Sequence, residues 1–518
     1  MNPLTPQRFA VPDVTPRPQP GLRGIVIVAS AVLAILVDTT ATATVNTGLP
    51  YLQAITAASP DEASWIITVF NAAYYAFILF SPWMMARVGR KRLMVSALLG
   101  FSLTSLLLAA TTDYPLFLAL RFIQGAFLGC IFVPAALLLF TSLHVRALKY
   151  APPAFVFVSL SGSTFGTVLG GYFADEYGGN YVFVPGCLAT LFTALLIAVA
   201  VNANDRPQPG LRLDAIGLAF SVATFGAMQY LANEGERRNW FDDPAIVAGA
   251  GVLAVMLPAF LVYELFVTRE PHVDFRMFAR HRNLSVGGVI NVAIGAVGYS
   301  VTVFVAYLQA ALGATPTVAG ALVLVRLGTY AIGVPAAFFL ITSRKLDIRA
   351  VVIIGVVGSA AGLAAFSQSM TTTSDLDAFV GLSLFFGLFF GMMNQPLGAL
   401  VIGSMPLPLL AAGVSIYKLS SPIGLMIATG GMQTVLDQRT ASFRSVLAGD
   451  ISLGRPAVDR YVHAHHGSAS GLAAIAAAQA QTLAYASVML LFAFIVLVVV
   501  PIVFFAKVQK PGAPPANV

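Results

Sequence analysis

Long apolar runs separated by short polar breaks make up most of the chain, and they fall into two groups of six with a pair between them. The first six lie at about 25–46, 63–84, 93–111, 115–139, 152–174 and 181–201. After the break N-A-N-D-R-P-Q-P-G, two more lie at 213–233 and 245–267, and a charged linker runs from Thr268 to Arg282. The last six lie at about 284–311, 316–341, 349–369, 378–403, 408–435 and 482–506. A helix that crosses a membrane needs about 20 apolar residues. The runs are too long and too uniformly apolar for the alternating strands of a barrel, so the pattern predicts fourteen transmembrane helices.

The predicted layout has a disordered cytoplasmic tail at 1–24, a six-helix bundle at 25–201 and a two-helix insertion with linkers at 202–282. A second six-helix bundle follows at 283–506, including an outer loop at 437–480, and a cytoplasmic tail closes the chain at 507–518. The loop at 437–480 reads as a short amphipathic helix and a run-up to the last span. Two basic turns, A-R-V-G-R-K-R after the second run and T-S-R-K-L-D-I-R after the tenth, occupy equivalent places if the two groups of six are repeats.

Composition agrees with a membrane protein. Of 518 residues, 58% are hydrophobic and 10% charged, and the mean hydropathy is +0.83. Soluble domains carry about 25% charged residues. The formal charge of +7 is spread over short loops, which sets topology and does not build a nucleic-acid surface. Arg87, Arg90, Lys91, Arg92, Arg146, Lys149, Arg344, Lys345 and Arg349 fall on one side, and short loops with Asp61, Glu62, Asp113, Asp175 and Glu176 on the other. Both termini are therefore expected in the cytoplasm. Cys130 and Cys187 lie in apolar runs and imply no disulfide framework. No catalytic constellation, phosphate-binding loop or cofactor motif appears, so the chain does not read as an enzyme. His463, His465 and His466 read as a solvated turn and not a metal site.

Four charged residues lie well inside the runs: Asp38, Arg121, Arg326 and Lys418. A buried charge of this kind costs at least ~2.5 kcal/mol and marks a functional site by default. At 1.5 Å per residue, Asp38 sits roughly 20 Å from the inner end of the first helix, and Arg121 roughly 10 Å from the outer end of the fourth. In a core about 30 Å thick these depths coincide, which makes the two a candidate pair. The pair is either a packing lock or a proton site. Arg326 and Lys418 fall near the midplane and read as cavity-lining or snorkelling cations. Asn71, Gln124, Asn291, Asn394 and Gln395 lie at similar depth, as cavity groups or as interhelical hydrogen bonders. Gly162, Gly166, Gly170 and Gly171, with Gly387, Gly391 and Gly398, allow close helix packing or helix bending. Trp65, Tyr74, Tyr75 and Phe77 read as lipid-facing or core residues.

The motifs resemble those of the 14-helix drug:proton antiporters of the major facilitator superfamily. L-V-D-T-T-A-T-A-T-V-N-T-G-L-P, ending at Pro50, is similar to L-D-x-T-x-V-N-V-A-L-P, and R-F-I-Q-G from Arg121 to Gly125 is similar to R-x-x-Q-G. A-R-V-G-R-K-R resembles D-R-x-G-R-K, and the glycines from Gly162 to Gly171 resemble the antiporter motif of the fifth helix. N-E-G-E-R-R-N-W-F-D-D-P and R-E-P-H-V-D-F-R-M-F are similar to segments of the 14-helix branch. The resemblance implies an all-α polytopic fold of two pseudo-symmetric six-helix bundles plus two helices. It also implies Asp38 as the membrane-embedded acid, Arg121 as the proton-coupling arginine, and Gly89, Arg90 and Lys91 as a gating turn. Ala86 stands where the family has aspartate, Thr167 where it has proline, and Gly178 to Tyr181 replace G-W-R-W. In the tenth helix, Val325 and Arg326 stand near the usual proline.

The expectation is a proton-coupled exporter of a small drug-like compound or organic anion, in a bacterial-type inner membrane. Three buried cations against one acid bias it toward anions. A periplasmic adaptor protein is a further candidate partner, with the outer loop as its dock. The rivals are a proton symporter importing an organic substrate, which Thr167 favours, and a non-transporting receptor or scaffold, which Ala86 favours.

Overall fold

Helix α1, Leu22–Ile55, sets the pattern for the molecule, because another helix lies directly on its backbone. The computed structural model describes residues 21–507 apart from 144–146, 148–149, 203–207, 209, 212, 269–270, 407–408, 451–457 and 459–468. Fourteen described helices are long and apolar enough to cross a membrane. After α1 come α2 (Glu62–Val88), α3 (Arg90–Ala110), α4 (Tyr114–Ser142), α5 (Ala151–Tyr177) and α6 (Gly179–Ala200). The inserted pair is α7 (Ala215–Glu234) and α8 (Pro244–Val267). Then follow α9 (Arg282–Leu312), α10 (Val318–Thr342), α11 (Ile348–Ser369), α12 (Ala378–Gly403), α13 (Leu410–Gly449) and α14 (Gly471–Val503).

The two groups of six pack by one scheme. In the first, α1 lies on α5, α2 on α4 and α3 on α6; in the second, α9 lies on α13, α10 on α12 and α11 on α14. Small residues make the approaches possible. A methyl group at Gly166 would run into the Thr40 carbonyl, and one at Gly170 into that of Thr44, so α5 can sit on α1 only with glycine there. Thr40 Oγ1 also donates to the Gly162 carbonyl at 3.1 Å. The same device recurs in the second bundle, where Gly295 faces the Ser421 carbonyl and Gly424 that of Val292. Such contacts supply packing where the surrounding solvent offers no hydrophobic drive. The bundles meet through α5 against α10 and α12, and through α2 against α13, while α7 packs on α2 and α13.

Interruptions have local causes. Pro134 lacks an N–H, and its ring opposes the carbonyl four residues back. The fourth span accordingly breaks at Cys130 and Ile131. Pro501 does the same after Leu497 in α14. Gly89, at φ 95°, makes the tight turn between α2 and α3 in a conformation that a side chain would resist.

Three expected boundaries change: α1 continues to Ile55 where the run ends near 46, α14 begins at Gly471 where the run begins near 482, and α13 outlasts its run. The apolar run predicts that the thirteenth span ends near 435 and opens into a loop, but α13 continues as one helix to Gly449. Asp437 to Leu447 contains neither glycine nor proline, so the helix propagates past the apolar run on propensity. Residues 1–20 and 508–518 of the two tails, with His463, His465 and His466, lie outside the described residues, while Leu22 to Gly24, expected in the first tail, belong to α1.

Candidate functional site

Asp38 occupies the middle of α1 and has no exposed surface. A carboxylate there needs hydrogen-bond donors and a positive charge. Both are present, on two other helices. The Tyr74 hydroxyl of α2 lies 3.0 and 2.9 Å from the two carboxylate oxygens of Asp38 and donates to them. Lys418 reaches from α13 in the second bundle and places Nζ 3.2 Å from Asp38 Oδ2. The lysine is partly covered, with a side-chain exposure of 19%, and its ammonium lies 3.9 Å from the ring centre of Phe132, where α4 resumes after its break. The ion pair therefore joins one bundle to the other at a titratable group.

The pairing read from matching depth is corrected. Arg121 is buried, but among the described residues it has no carboxylate partner. Its Nε donates to the Ile66 carbonyl at 3.1 Å and its Nη1 to Gln124 Oε1 at 2.5 Å, while Gln124 Nε2 donates to Ser105 Oγ at 2.8 Å. The guanidinium lies 3.9 Å from the Phe70 ring centre. Arg121, Gln124 and Ser105 border a cavity of about 310 Å³ inside the first bundle, closed on one side by Thr40, Ala41 and Thr44 of α1. Asp38 is not part of that lining. The acid and the arginine thus address different faces of α1.

Arg326 is also buried, and no ion pair reaches it among the described residues. Its guanidinium is set among Phe304, Phe366 and Phe386 at 5.4, 5.6 and 5.0 Å, and its Nε and Nη1 lack hydrogen-bond partners among the described residues. Cation–π contact offsets part of that cost. Of the neutral polar groups, Asn291 Nδ2 donates to the Tyr417 carbonyl at 2.9 Å and ties α9 to α13. Asn394 Nδ2 donates to the Phe390 carbonyl of its own helix at 2.9 Å. Gln395 is buried with Oε1 unpartnered, and Asn71 is half-buried on α2.

At the α2–α3 turn, Arg90 Nη1 donates to Thr141 Oγ1 at 2.9 Å and Lys91 Nζ to the Ala198 carbonyl at 2.8 Å. Arg87 Nη1 donates to the Leu211 carbonyl at 2.7 Å, and the Ala86 carbonyl accepts from the Gln208 amide at 2.9 Å. The turn is thereby fastened to the strap that leads into α7. At the opposite end, Trp240 Nε1 donates to Glu236 Oε2 and to Thr434 Oγ1 of α13, each at 2.8 Å.

Sequence reasoning places Tyr74 with lipid-facing and core aromatics and assigns Lys418 to a cavity wall. The signal available for Lys418 is its midplane depth, which fits Asp38 as well as Arg121 does. Nothing in the sequence singles out Tyr74 from Tyr75, which packs against Phe225 of α7 instead.

A family model described as Major Facilitator Superfamily matches residues 31–298, somewhat more than half of the chain. The multidrug export protein EmrB of Escherichia coli (strain K12) is 22% identical over 445 residues, 85% of each chain. The fatty acid resistance protein FarB of Neisseria gonorrhoeae is 23% identical over 290 residues, 56% of this chain and 57% of FarB. Among solved structures, the human organic anion transporter MFSD10 (TETRAN) is similar with a TM-score of 0.54 at 14% identity, covering 92% of this chain and 100% of that one. The proton:xylose symporter XylE gives 0.54 at 14% identity, covering 91% and 94%. These structures share the fold.

Proposed function

We propose a coupled transport cycle for this chain, which belongs to the Major Facilitator Superfamily. It is an integral membrane transporter of small molecules and not an enzyme. The proposed cycle exports a small organic compound from the cytoplasm by alternating access, in exchange for protons that bind Asp38. The observation that carries it is the ion pair between Asp38 and Lys418, because one protonation event acts on the junction of the two bundles.

With Asp38 ionised, Lys418 and Tyr74 hold it and α1 is tied to α13. A proton on Asp38 removes the charge that Lys418 pairs with. Lys418 then keeps only the face of Phe132, a weaker partner. Loading one proton therefore changes the relative free energy of the two bundle arrangements, which is what a rocking transporter requires. A substrate that offers Asp38 a hydrogen-bond donor or a positive charge competes with the proton for the same oxygens, so the two exchange. In this reading Arg121 is a positive charge beside the cavity and makes no contact with Asp38.

Relatives support export: EmrB is named a multidrug export protein and FarB a fatty acid resistance protein. The distribution of basic residues supports cytoplasmic termini, and the bacterial sources of EmrB and FarB support a bacterial inner membrane. The bundles are proposed to span 25–201 and 283–506, with 202–282 as the insertion. The extension of α13 to Gly449 is the proposed dock for a periplasmic adaptor.

The test is substrate movement in proteoliposomes under an imposed pH gradient. Movement against the proton flow is expected, and movement with it overturns export. Asp38→Asn is expected to abolish gradient-driven movement and to weaken substrate counterflow as well, because the amide stands in for the protonated acid that the substrate must displace. Undiminished uphill transport by that variant removes Asp38 from the mechanism.

A further inference from the structure

The inserted helix pair carries a second buried cluster that the proposed cycle does not use. Asp214 caps the start of α7, Glu264 sits in the last turn of α8, and His272 lies in the linker toward α9. The side chains of Glu264 and His272 are fully buried and that of Asp214 is 8% exposed. His272 Nδ1 lies 2.8 Å from Glu264 Oε1 and 3.5 Å from Asp214 Oδ2. One ligating atom from each residue falls within 4.8 Å of the other two.

The orientation of the carboxylates is what sets this cluster apart. Each spends one oxygen on the protein. Asp214 Oδ1 accepts from the Gly217 amide and the Tyr263 hydroxyl, both at 2.9 Å, and Glu264 Oε2 accepts from the Val273 amide at 3.3 Å. The remaining oxygens, Asp214 Oδ2 and Glu264 Oε1, have no aligned hydrogen-bond donor among the described residues, and neither has His272 Nδ1. Asp214 Oδ2 and Glu264 Oε1 approach one point beside the imidazole, whose Nε2 also lacks a hydrogen-bond partner among the described residues. Gly217 keeps that point open, since a methyl group there would lie 2.5 Å from Glu264 Oε1, 2.7 Å from Asp214 Oδ2 and 2.6 Å from His272 Cε1. The imidazole is held from outside by the rings of Phe80 and Phe260, at 5.8 and 6.0 Å.

We propose that Asp214, Glu264 and His272 bind one divalent transition-metal ion of the zinc or manganese class. The ion clamps the open end of the α7–α8 hairpin to the linker that enters the second bundle. Ligands about 2.0–2.2 Å from a tetrahedral zinc lie about 3.3–3.6 Å from one another, so the 3.5 Å separation fits and the 2.8 Å one opens by about half an ångström when the ion enters. Two carboxylates with a neutral imidazole balance a divalent charge. An imidazolium in its place balances only one of the two acids, and no lysine or arginine pairs with either among the described residues. Oxygens committed to Tyr263, Gly217 and Val273 orient the ligands as an outer shell does.

The experiment uses the full chain, purified in detergent and stripped with EDTA, with His463→Ala, His465→Ala and His466→Ala introduced to remove the other histidine group. Zinc or manganese is added, the protein is desalted, and metal per chain is counted by mass spectrometry alongside a thermal melt. One ion per chain and a raised melting temperature are expected. His272→Gln, Glu264→Gln and Gly217→Ala are each expected to lower retention at least tenfold. Less than a tenth of an ion per chain in the triple-histidine background overturns the proposal without any variant at the site. So does unchanged retention in folded His272→Gln. A melt that falls in metal-free His272→Gln and ignores added metal also overturns it, in favour of an imidazolium bridge.

Discussion

Replacing Lys418 with methionine keeps the length and apolar stem of the side chain and removes only the charge. Asp38 is then buried with Tyr74 as its one donor. Breaking a buried pair by deleting one partner costs about 3–5 kcal/mol, because the other charge is left uncompensated. The acid has an escape: it takes a proton. For a carboxylic acid at pH 7 that costs at most about 4 kcal/mol, the gap between pH 7 and an ordinary aspartate at 1.36 kcal/mol per unit. The Tyr74 hydroxyl still bonds the acid in either form. The net loss is therefore about 2–4 kcal/mol. The assay is a double-mutant cycle with Asp38→Asn, read by equilibrium or thermal unfolding in detergent. Asp38→Asn/Lys418→Met is expected to recover most of the stability that Lys418→Met loses. Both members of the pair are then neutral, and the amide oxygen that replaces the carboxylate still accepts from Tyr74. A coupling below about 0.5 kcal/mol is what independent sites show. That value, or a double variant less stable than Lys418→Met, would refute the pair.

Tyr74→Phe removes the donor to both oxygens and is expected to cost about 1.5–3 kcal/mol, as for a hydrogen bond to a charged group; unchanged unfolding would show that water replaces it. Gly166→Val forces α5 off the Thr40 carbonyl and is expected to cost about 1–3 kcal/mol of packing strain, seen as a lower yield of monodisperse protein. On the turn between α7 and α8, the hydrogen bond from Arg238 Nη1 at 2.9 Å holds the Asp243 carboxyl below the usual carboxylate range. A depressed acid stabilises the fold above its unfolded value, and that contribution is lost as pH falls through the folded one. The melting temperature is thus expected to drop as pH goes below about 4, with a smaller drop in Asp243→Asn; equal drops would assign the effect elsewhere.

Depth along a helix is legible in a sequence, but direction around it is not. Residues of α1 turn by about 100° per position, so Val37, Thr40, Ala41 and Thr44 form the cavity face while Asp38 points to α2 and α13. Arg121 and Lys418 both match the depth of Asp38, and only the packing of α2 and α13 decides between them. The glycine stripe on α5 is legible because a spacing of four needs no tertiary information. The end of α13 is not, because hydropathy marks where the apolar run stops and says nothing of where the helix stops. Asp214, Glu264 and His272 escape a sequence reading for a simpler reason. They lie fifty and eight residues apart in the chain, and only the antiparallel pairing of α7 with α8 gathers them.

The ion pair also constrains what the carrier can exchange. From sequence, three buried cations against one acid favour an anionic substrate. The structure divides those cations. Arg326 is enclosed by phenylalanine rings, Arg121 borders a cavity within one bundle, and Lys418 alone meets the acid. An anion arriving at Lys418 competes with Asp38 for the ammonium and leaves a second negative charge beside it. That repulsion favours a proton on Asp38, so anion and proton bind together and move the same way. A compound that presents a donor or a positive charge competes for the carboxylate itself, so it binds when the proton leaves. Under the proposed cycle, export against a proton flow and a purely anionic substrate are therefore incompatible at this pair. The exporter reading commits the substrate to a donor group that reaches Asp38, while an organic anion commits the same residues to symport. The sign of substrate movement and the charge of the substrate are one question here, because a single carboxylate answers to both Lys418 and the proton.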